Sequence, residues 1–171
     1  TKNTNNNLFF DGYNKLTSQH KIIVKRYIKF NKQLIKESNN FIKENFARQK
    51  ILGVHFRGTD QKPQERHPFP ATIKQIENNI LALFKEKKFD KFFLVTEEKK
   101  YLNYFKKNMK DKILYFDSFV SNQTNIFDDN NRALHRYNIG KENIINMMCL
   151  SKTDHILGVS SNLADAAIFF S

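Results

Sequence analysis

The chain has 171 residues, of which 40% are hydrophobic and 17 are Phe, so it has enough apolar residues for one core and is not a disordered chain. Its formal net charge is +12, and its single cysteine excludes an internal disulfide and a cysteine-rich zinc site. The longest apolar stretches are too short for a bilayer and no secretion signal opens the chain, so we expect a soluble, cytoplasmic protein.

Residues 1–49 are predicted to form a basic helical segment. Residues 1–50 contain eleven Lys or Arg and three Asp or Glu. From about Ser18 to Phe46, apolar residues recur at helical intervals between lysines, which predicts one or two amphipathic helices. Two interpretations of the charge stay open: a solvated or membrane-surface face, or a surface that binds nucleic acid. No base-stacking motif favours specific nucleic-acid binding.

Strands and helices alternate in the rest of the chain, residues 50–171. The predicted strands are 50–56, 91–96, 112–116 and 155–159, and the predicted helices are 72–84, 97–109, one after Gly140 and 163–170. A loop with three prolines at 61–70 and a polar crossing at 117–137 join them. The alternation predicts an α/β fold, a Rossmann-like parallel sheet with helices on both faces.

Polar residues gather where the first strand ends, at His55, Arg57 and Asp60. Parallel sheets bind ligands at the carboxyl ends of their strands, and an arginine there suits phosphate. The alternation places His55 and Arg57 on one side and Phe56 on the other, which predicts an anion site. The alternatives are a packed histidine and a local ion pair between Arg57 and Asp60.

Ser160, Ser161 and Asn162 lie between the last strand and the last helix. One of them is expected to cap the helix. The same helix start also attracts phosphate through its free amides and dipole, so both interpretations stay open.

Two segments resemble motifs of the fucosyltransferase superfamily, which includes α-1,6-, nodulation, α-1,2- and protein O-fucosyltransferases. The first is His-Phe-Arg-Gly-Thr-Asp at 55–60, followed by Glu65 and His67-Pro68, and it is most similar to the α-1,6 branch. The second is the apolar strand at 150–162 that ends in Ser-Ser-Asn. Together they cover about residues 50–171 in the order of the family.

The resemblance implies a role for each matching position. Arg57 would hold the β-phosphate of a GDP-sugar, Ser160 or Ser161 would complete the phosphate contact, and Glu65 would be the catalytic base. The backbone of His55 would lie against the guanine. The implied catalytic residues are therefore Glu65 and Arg57, and the implied nucleotide-sugar-binding residues are His55, Arg57, Gly58, Thr59, Asp60, Asn146, Ser160, Ser161 and Asn162.

The chain departs from the pattern of the α-1,6 branch at two positions. Asn146 stands where the branch has an aspartate that reads guanine, and Gly58 replaces a second basic residue. Asparagine accepts through one neutral oxygen only, so we expect weaker guanine preference or help from Glu142, one turn earlier.

The resemblance implies the donor-binding half of a GT-B-like, inverting, metal-independent glycosyltransferase that uses GDP-fucose, with no cofactor and no metal. Its partners would be the donor, a glycan acceptor and a missing amino-terminal acceptor-binding half, without which the fragment is expected to be inactive. The alternatives are a glycosyltransferase that uses another nucleotide-sugar and a non-enzymatic basic module that binds nucleic acid or anionic lipid. For the cytoplasmic protein, peripheral contact with the inner membrane face through the basic amino-terminal helix also stays open. The Lys- and Asn-rich composition favours a bacterial origin.

Overall fold

A computed structural model of the chain describes residues 20–57, 71–122, 126–128, 132–158 and 161–171. Its centre is a four-stranded parallel sheet with the order β3-β2-β1-β4. The strands are β1 (Ile51–His55), β2 (Lys91–Val95), β3 (Ile113–Leu114) and β4 (His155–Gly158). The predicted parallel α/β fold is thus confirmed.

Helices connect and flank the strands. Residues 20–27 form the described part of α1. The others are α2 (Lys32–Asn45), α3 (Ile73–Lys87), α4 (Lys99–Asn108), α5 (His135–Leu150) and α6 (Asn162–Phe170), with a 3-10 turn at Ile126–Asp128. α3 begins where the sequence predicts, because Thr72 and Gln75 form a capping box.

Side chains of β1 and β2 alternate between two hydrophobic clusters. Ile51, Phe93 and Val95 pack on one face with α2, α5 and α6. Leu52, Val54, Phe92 and Leu94 pack on the other face with α3 and α4. The alternation follows from the period of two in a strand. The expected helices on both faces are therefore present.

α2 is attached to the sheet by aromatic residues. The rings of Phe41 and Phe46 each lie 5.5 Å from the ring of Phe93, which is fully buried on the same face. Such tilted and edge-on pairs add to the free energy gained by burial. The proposed division of the chain after residue 49 stays a prediction.

α1 differs from the amphipathic pattern that the sequence predicts. Ile22, Ile23 and Tyr27 are exposed by 72%, 54% and 71%, so these apolar side chains do not join the core. In α2, by contrast, Leu34 is buried and Ile35 is exposed. None of the helices in the described part of the chain combines the length and apolarity needed to cross a membrane.

Two predicted boundaries are wrong. α5 begins at His135 and runs through Gly140, because buried His135 bonds the carbonyl of Ile126 at 2.7 Å and fixes the helix start. Glycine weakens a helix without forbidding it, so these contacts override its local preference. β3 is shorter than predicted because its ladder with β2 ends at Leu114.

Candidate functional site

The carboxyl ends of β1 and β4 lie side by side. His55, the last residue of β1, is paired in register with Gly158 at the end of β4. The order β3-β2-β1-β4 makes this the place where the chain reverses the direction in which it adds strands. In doubly wound sheets, ligands bind in the crevice at that switch point.

A hydrogen bond joins His55, at the end of β1, to Ser161, which follows β4. Ser161 Oγ lies 3.0 Å from His55 Nδ1, and the two residues are exposed by only 9% and 4%. Ser161 is also the N-cap of α6, since its Oγ accepts from the backbone N–H of Ala164 at 3.2 Å. The expected cap is therefore Ser161, and it ties α6 to the end of β1.

The charge state of His55 follows from its surroundings. Burial, followed by the nearby charge of Arg57, lowers the pKa of His55 to about 4, so the imidazole is neutral near pH 7. Ser161 Oγ accepts from the backbone N–H of Ala164 and also shares a hydrogen bond with His55 Nδ1, in which the tautomer of the neutral imidazole decides which group is the donor. The Ser161 hydroxyl thus links the start of α6 to the end of β1.

Arg57 reaches from the end of β1 toward the end of β2. Its Nε lies 3.5 Å from Glu97 Oε2, and its side chain is 25% exposed. A guanidinium in this position is paired with a carboxylate and is partly exposed at the sheet edge. Sequence reasoning missed Glu97, although its position directly after β2 places it at the same edge as Arg57.

Asn146, in α5, lies against the segment that follows β3. It is 6% exposed, and its Nδ2 donates to Ser118 Oγ at 2.8 Å. The side chain borders a narrow crevice that Thr96 and Ser118 also line. Ser118 is a further residue that the sequence did not single out.

Glu142, the predicted helper of Asn146, has other partners. Its carboxylate accepts from Arg132 at 2.7 and 3.3 Å and from the backbone N–H of Phe119 at 3.1 Å. These bonds attach the polar segment between β3 and α5 to α5 itself. A role in reading guanine is therefore not supported by its geometry.

Several predicted site residues lie outside the described part of the chain: Gly58, Thr59, Asp60, Glu65 and Ser160. Asn162 is described and is the exposed first residue of α6. The structure thus brings His55, Arg57 and Ser161 to one sheet edge. The roles assigned to all of these residues stay predictions.

The described residues contain no group of three or more His, Cys, Asp or Glu that could hold a metal ion. Cys149 is fully buried in α5, and burial raises the pKa of its thiol to about 12. The thiol stays protonated at neutral pH and is not a nucleophile.

Comparison with known proteins yields fucosyltransferases. No family profile matches the chain. It is 30% identical over 96 residues to the GDP-fucose protein O-fucosyltransferase 2 of Plasmodium berghei (strain Anka), which is 56% of this chain and 20% of that protein. The solved structure of NodZ α-1,6-fucosyltransferase co-crystallized with GDP superposes with a TM-score of 0.60 at 18% identity, over 84% of this chain and 43% of that one.

Other fucosyltransferase structures superpose in the same way. The fucosyltransferase NodZ from Bradyrhizobium gives a TM-score of 0.56 at 18% identity, over 84% of this chain and 44% of that one. POFUT1 in complex with GDP gives 0.54 at 11% identity, over 90% and 46%. The chain has the fold of part of these enzymes. It spans a fifth of the curated relative and less than half of each solved structure.

Proposed function

We propose that this chain is the donor-binding half of an inverting, metal-independent glycosyltransferase that transfers fucose from GDP-fucose to a glycan hydroxyl. The observation that carries the proposal is the bond between His55 and Ser161 at the switch point of the sheet, with Arg57 at the same edge. The fold is shared with NodZ and POFUT1 structures that hold GDP or GDP-fucose, which supports the choice of donor.

In the proposed reaction, Glu65 takes the proton of the acceptor hydroxyl. The hydroxyl oxygen then attacks C1 of the sugar from the face opposite the diphosphate, and the bond between C1 and the β-phosphate oxygen breaks. GDP leaves with an added negative charge. Arg57 and the free amides at the start of α6 stabilise that charge, which is the role a metal ion serves elsewhere.

The residues at the start of α6 and Asn146 have different roles in the proposed site. Ser161 holds α6 in place through its bonds to His55 and to the backbone N–H of Ala164, and Ser160 or Ser161 completes the phosphate contact together with the backbone amides. Asn146 carries guanine recognition through its one neutral amide oxygen, while one N–H of its Nδ2 donates to Ser118 Oγ. A donor with another base is therefore the alternative within the same fold.

The proposal is tested by titration calorimetry of the chain with GDP, GDP-fucose, UDP and CDP. We expect GDP and GDP-fucose to bind, and Arg57→Ala to weaken GDP binding at least tenfold because a charge-assisted phosphate contact is lost. Arg26→Ala is the matched control, since it removes the same charge from exposed α1 and should leave the affinity unchanged. Equal GDP affinity of Arg57→Ala and the parent chain would overturn the proposal, and preference for UDP or CDP would change the donor.

Transfer is proposed to need a second, acceptor-binding unit, because the chain spans less than half of each solved fucosyltransferase compared with it. In a protein that contains both units, Glu65→Gln should lower the transfer rate by about 10²–10⁴ and leave GDP binding unchanged, as expected for a general base. Loss of GDP binding in Glu65→Gln would assign this residue to the donor instead.

The exposed face of α1 favours a second activity, contact with an anionic lipid surface. Ile22, Ile23 and Tyr27 are exposed beside Arg26, a combination typical of interfacial helices. Binding to vesicles with anionic lipid should fall steeply with salt and with Arg26→Glu, and should not respond to Arg57→Ala. Vesicle binding that Arg57→Ala removes would contradict this assignment.

A further inference from the structure

A cavity of about 460 Å³ lies between the turn that joins α1 to α2 and the first turns of α5. Its volume is within the range of small-molecule sites, about 300–1,000 Å³. The wall contains three cations, two aromatic rings and one glycine: Lys29, Arg136, Lys141, Phe30, Tyr137 and Gly140. None of the residues assigned above to nucleotide binding lines it.

The cavity forms where α2 and α5 separate. Farther along the two helices Ser38 and Met148 are in contact, with Oγ and Sδ 3.3 Å apart, and one turn earlier Leu34 and Ile144 form part of the cavity wall. Arg136, Gly140 and Ile144 are spaced four residues apart, so they lie along one face of α5. The wall is therefore formed by the turn before α2 and by facing parts of α2 and α5.

Gly140 faces open space at the wall of the cavity. A Cβ atom built at Gly140 would have no other atom within 4 Å, so packing does not require a glycine there. Glycine in the middle of a helix lowers its stability relative to alanine. Packing in α5 therefore does not explain the glycine at this position of the cavity wall.

The cavity is positively charged. Among the described residues of its wall, three are cationic and none is acidic. Glu142, next to Lys141 in the chain, is directed to Arg132 instead. Like charges grouped in this way repel one another, and a bound anion reverses that cost. Arg136 offers a planar group of donors that suits phosphate or carboxylate.

We propose that this cavity binds a hexose-sized organic anion, a sugar ring that carries a phosphate or a carboxylate. The cations hold the anionic group, and the rings of Phe30 and Tyr137 contact the apolar face of the sugar. The site is separate from the nucleotide site at the edge of the sheet. The inference therefore does not depend on the proposed function.

The test is a calorimetric titration of the chain with glucose 6-phosphate and with glucuronate, which distinguish phosphate from carboxylate. Glucose and inorganic phosphate are the reference ligands. We expect at least one of the two sugar acids to bind ten times more tightly than either reference ligand. Inorganic phosphate binding as tightly as both sugar acids would show a simple cation cluster, and absence of sugar-acid binding would also overturn the proposal.

Variants at Gly140 distinguish an effect on ligand binding in the cavity from an effect on the stability of the fold. Gly140→Leu fills the open space and should abolish binding, whereas Gly140→Ala should retain it and raise the melting temperature by about 1–4 °C. Lys141→Gln should weaken binding at least fivefold. Sugar-acid binding that Gly140→Leu leaves unchanged would overturn the proposal.

Arg57→Ala tests the independence of the two sites. We expect it to leave sugar-acid binding unchanged while it weakens GDP binding. Sugar-acid binding lost in Arg57→Ala would mean that these anions occupy the sheet edge, and the cavity would then have no demonstrated ligand.

Discussion

The imidazole of His55 is the most strongly perturbed group at the sheet edge. It is buried on the face of β1 that carries α6, and its pKa falls to about 4 from a normal value of 6.5. Between these two values the unfolded chain binds a proton that the folded chain does not. The free energy of unfolding is therefore undiminished above about pH 6.5 and decreases as the pH falls toward 4.

We expect this single histidine to lower the free energy of unfolding by up to about 3 kcal/mol between pH 6.5 and pH 4. His55→Asn keeps an acceptor near the position of Nδ1 and does not titrate, so its stability should depend less on pH. Urea denaturation of both proteins at pH 7, 6 and 5 measures the difference. Parallel pH profiles for the two proteins would contradict a neutral, buried His55.

Single residues at the site were predictable in part. Strand alternation correctly placed Phe56 opposite His55, and Phe56 stacks on Tyr101 of α4 with ring centroids 4.1 Å apart. The partners of these residues were not predictable in the same way. Ser161 is 106 positions from His55, so their bond depends on β4 lying next to β1, which no local pattern specifies.

At the scale of elements, Gly53 controls how closely the end of α5 approaches β1. A Cβ atom at Gly53 would lie 2.5 Å from Thr153 Oγ1 and 3.0 Å from a methyl group of Leu150. Thr153 Oγ1 is itself fixed, because it donates to the carbonyl of Leu150 at 2.7 Å. The strand must therefore have glycine here or move away from the turn before β4.

Gly53→Ala should lower the free energy of unfolding by about 1–3 kcal/mol through overpacking. Thr153→Ala removes the obstructing oxygen, so the double variant should be more stable than the sum of the two single effects predicts. Denaturant midpoints of the four proteins form the cycle. Strict additivity would show that the two positions do not interact.

The elements themselves followed from periodicity and capping, and the errors have a physical cause. Sequence analysis predicted that α5 starts after Gly140, because glycine is a poor helix former. It predicted a longer β3 because the apolar residues continue to Phe116. Contacts decided otherwise: His135 fixes the start of α5, and Phe116 leaves the ladder to pack against Phe41 with centroids 5.6 Å apart. Both are tertiary effects that no short window contains.

At the scale of the whole molecule, the strand order determines where a ligand can bind. An alternating pattern of strands and helices predicts a parallel sheet but allows several orders. The observed order brings the ends of β1 and β4 together, and with them the motifs at 55–57 and 161–162. The resemblance to fucosyltransferases predicted that the two motifs lie close together, whereas composition and charge did not.

Charge at this scale is divided between two regions. Most of the net charge of +12 lies in the first 50 residues, which contain eleven Lys or Arg and three Asp or Glu. The sheet edge combines the guanidinium of Arg57 with the carboxylate of Glu97 and a neutral His55. An anion that bound only through net charge would therefore prefer α1 and α2, and one that recognised the site would prefer the ends of β1 and β4.

The most direct test of the account is a two-dimensional NMR titration of the ¹⁵N-labelled chain with GDP. The account predicts that the largest shifts of amide signals occur at His55, Arg57 and the first residues of α6, with small changes in α1 and α2. Shifts confined to residues 20–45, or spread over the lysine-rich surface without change at the ends of β1 and β4, would contradict it.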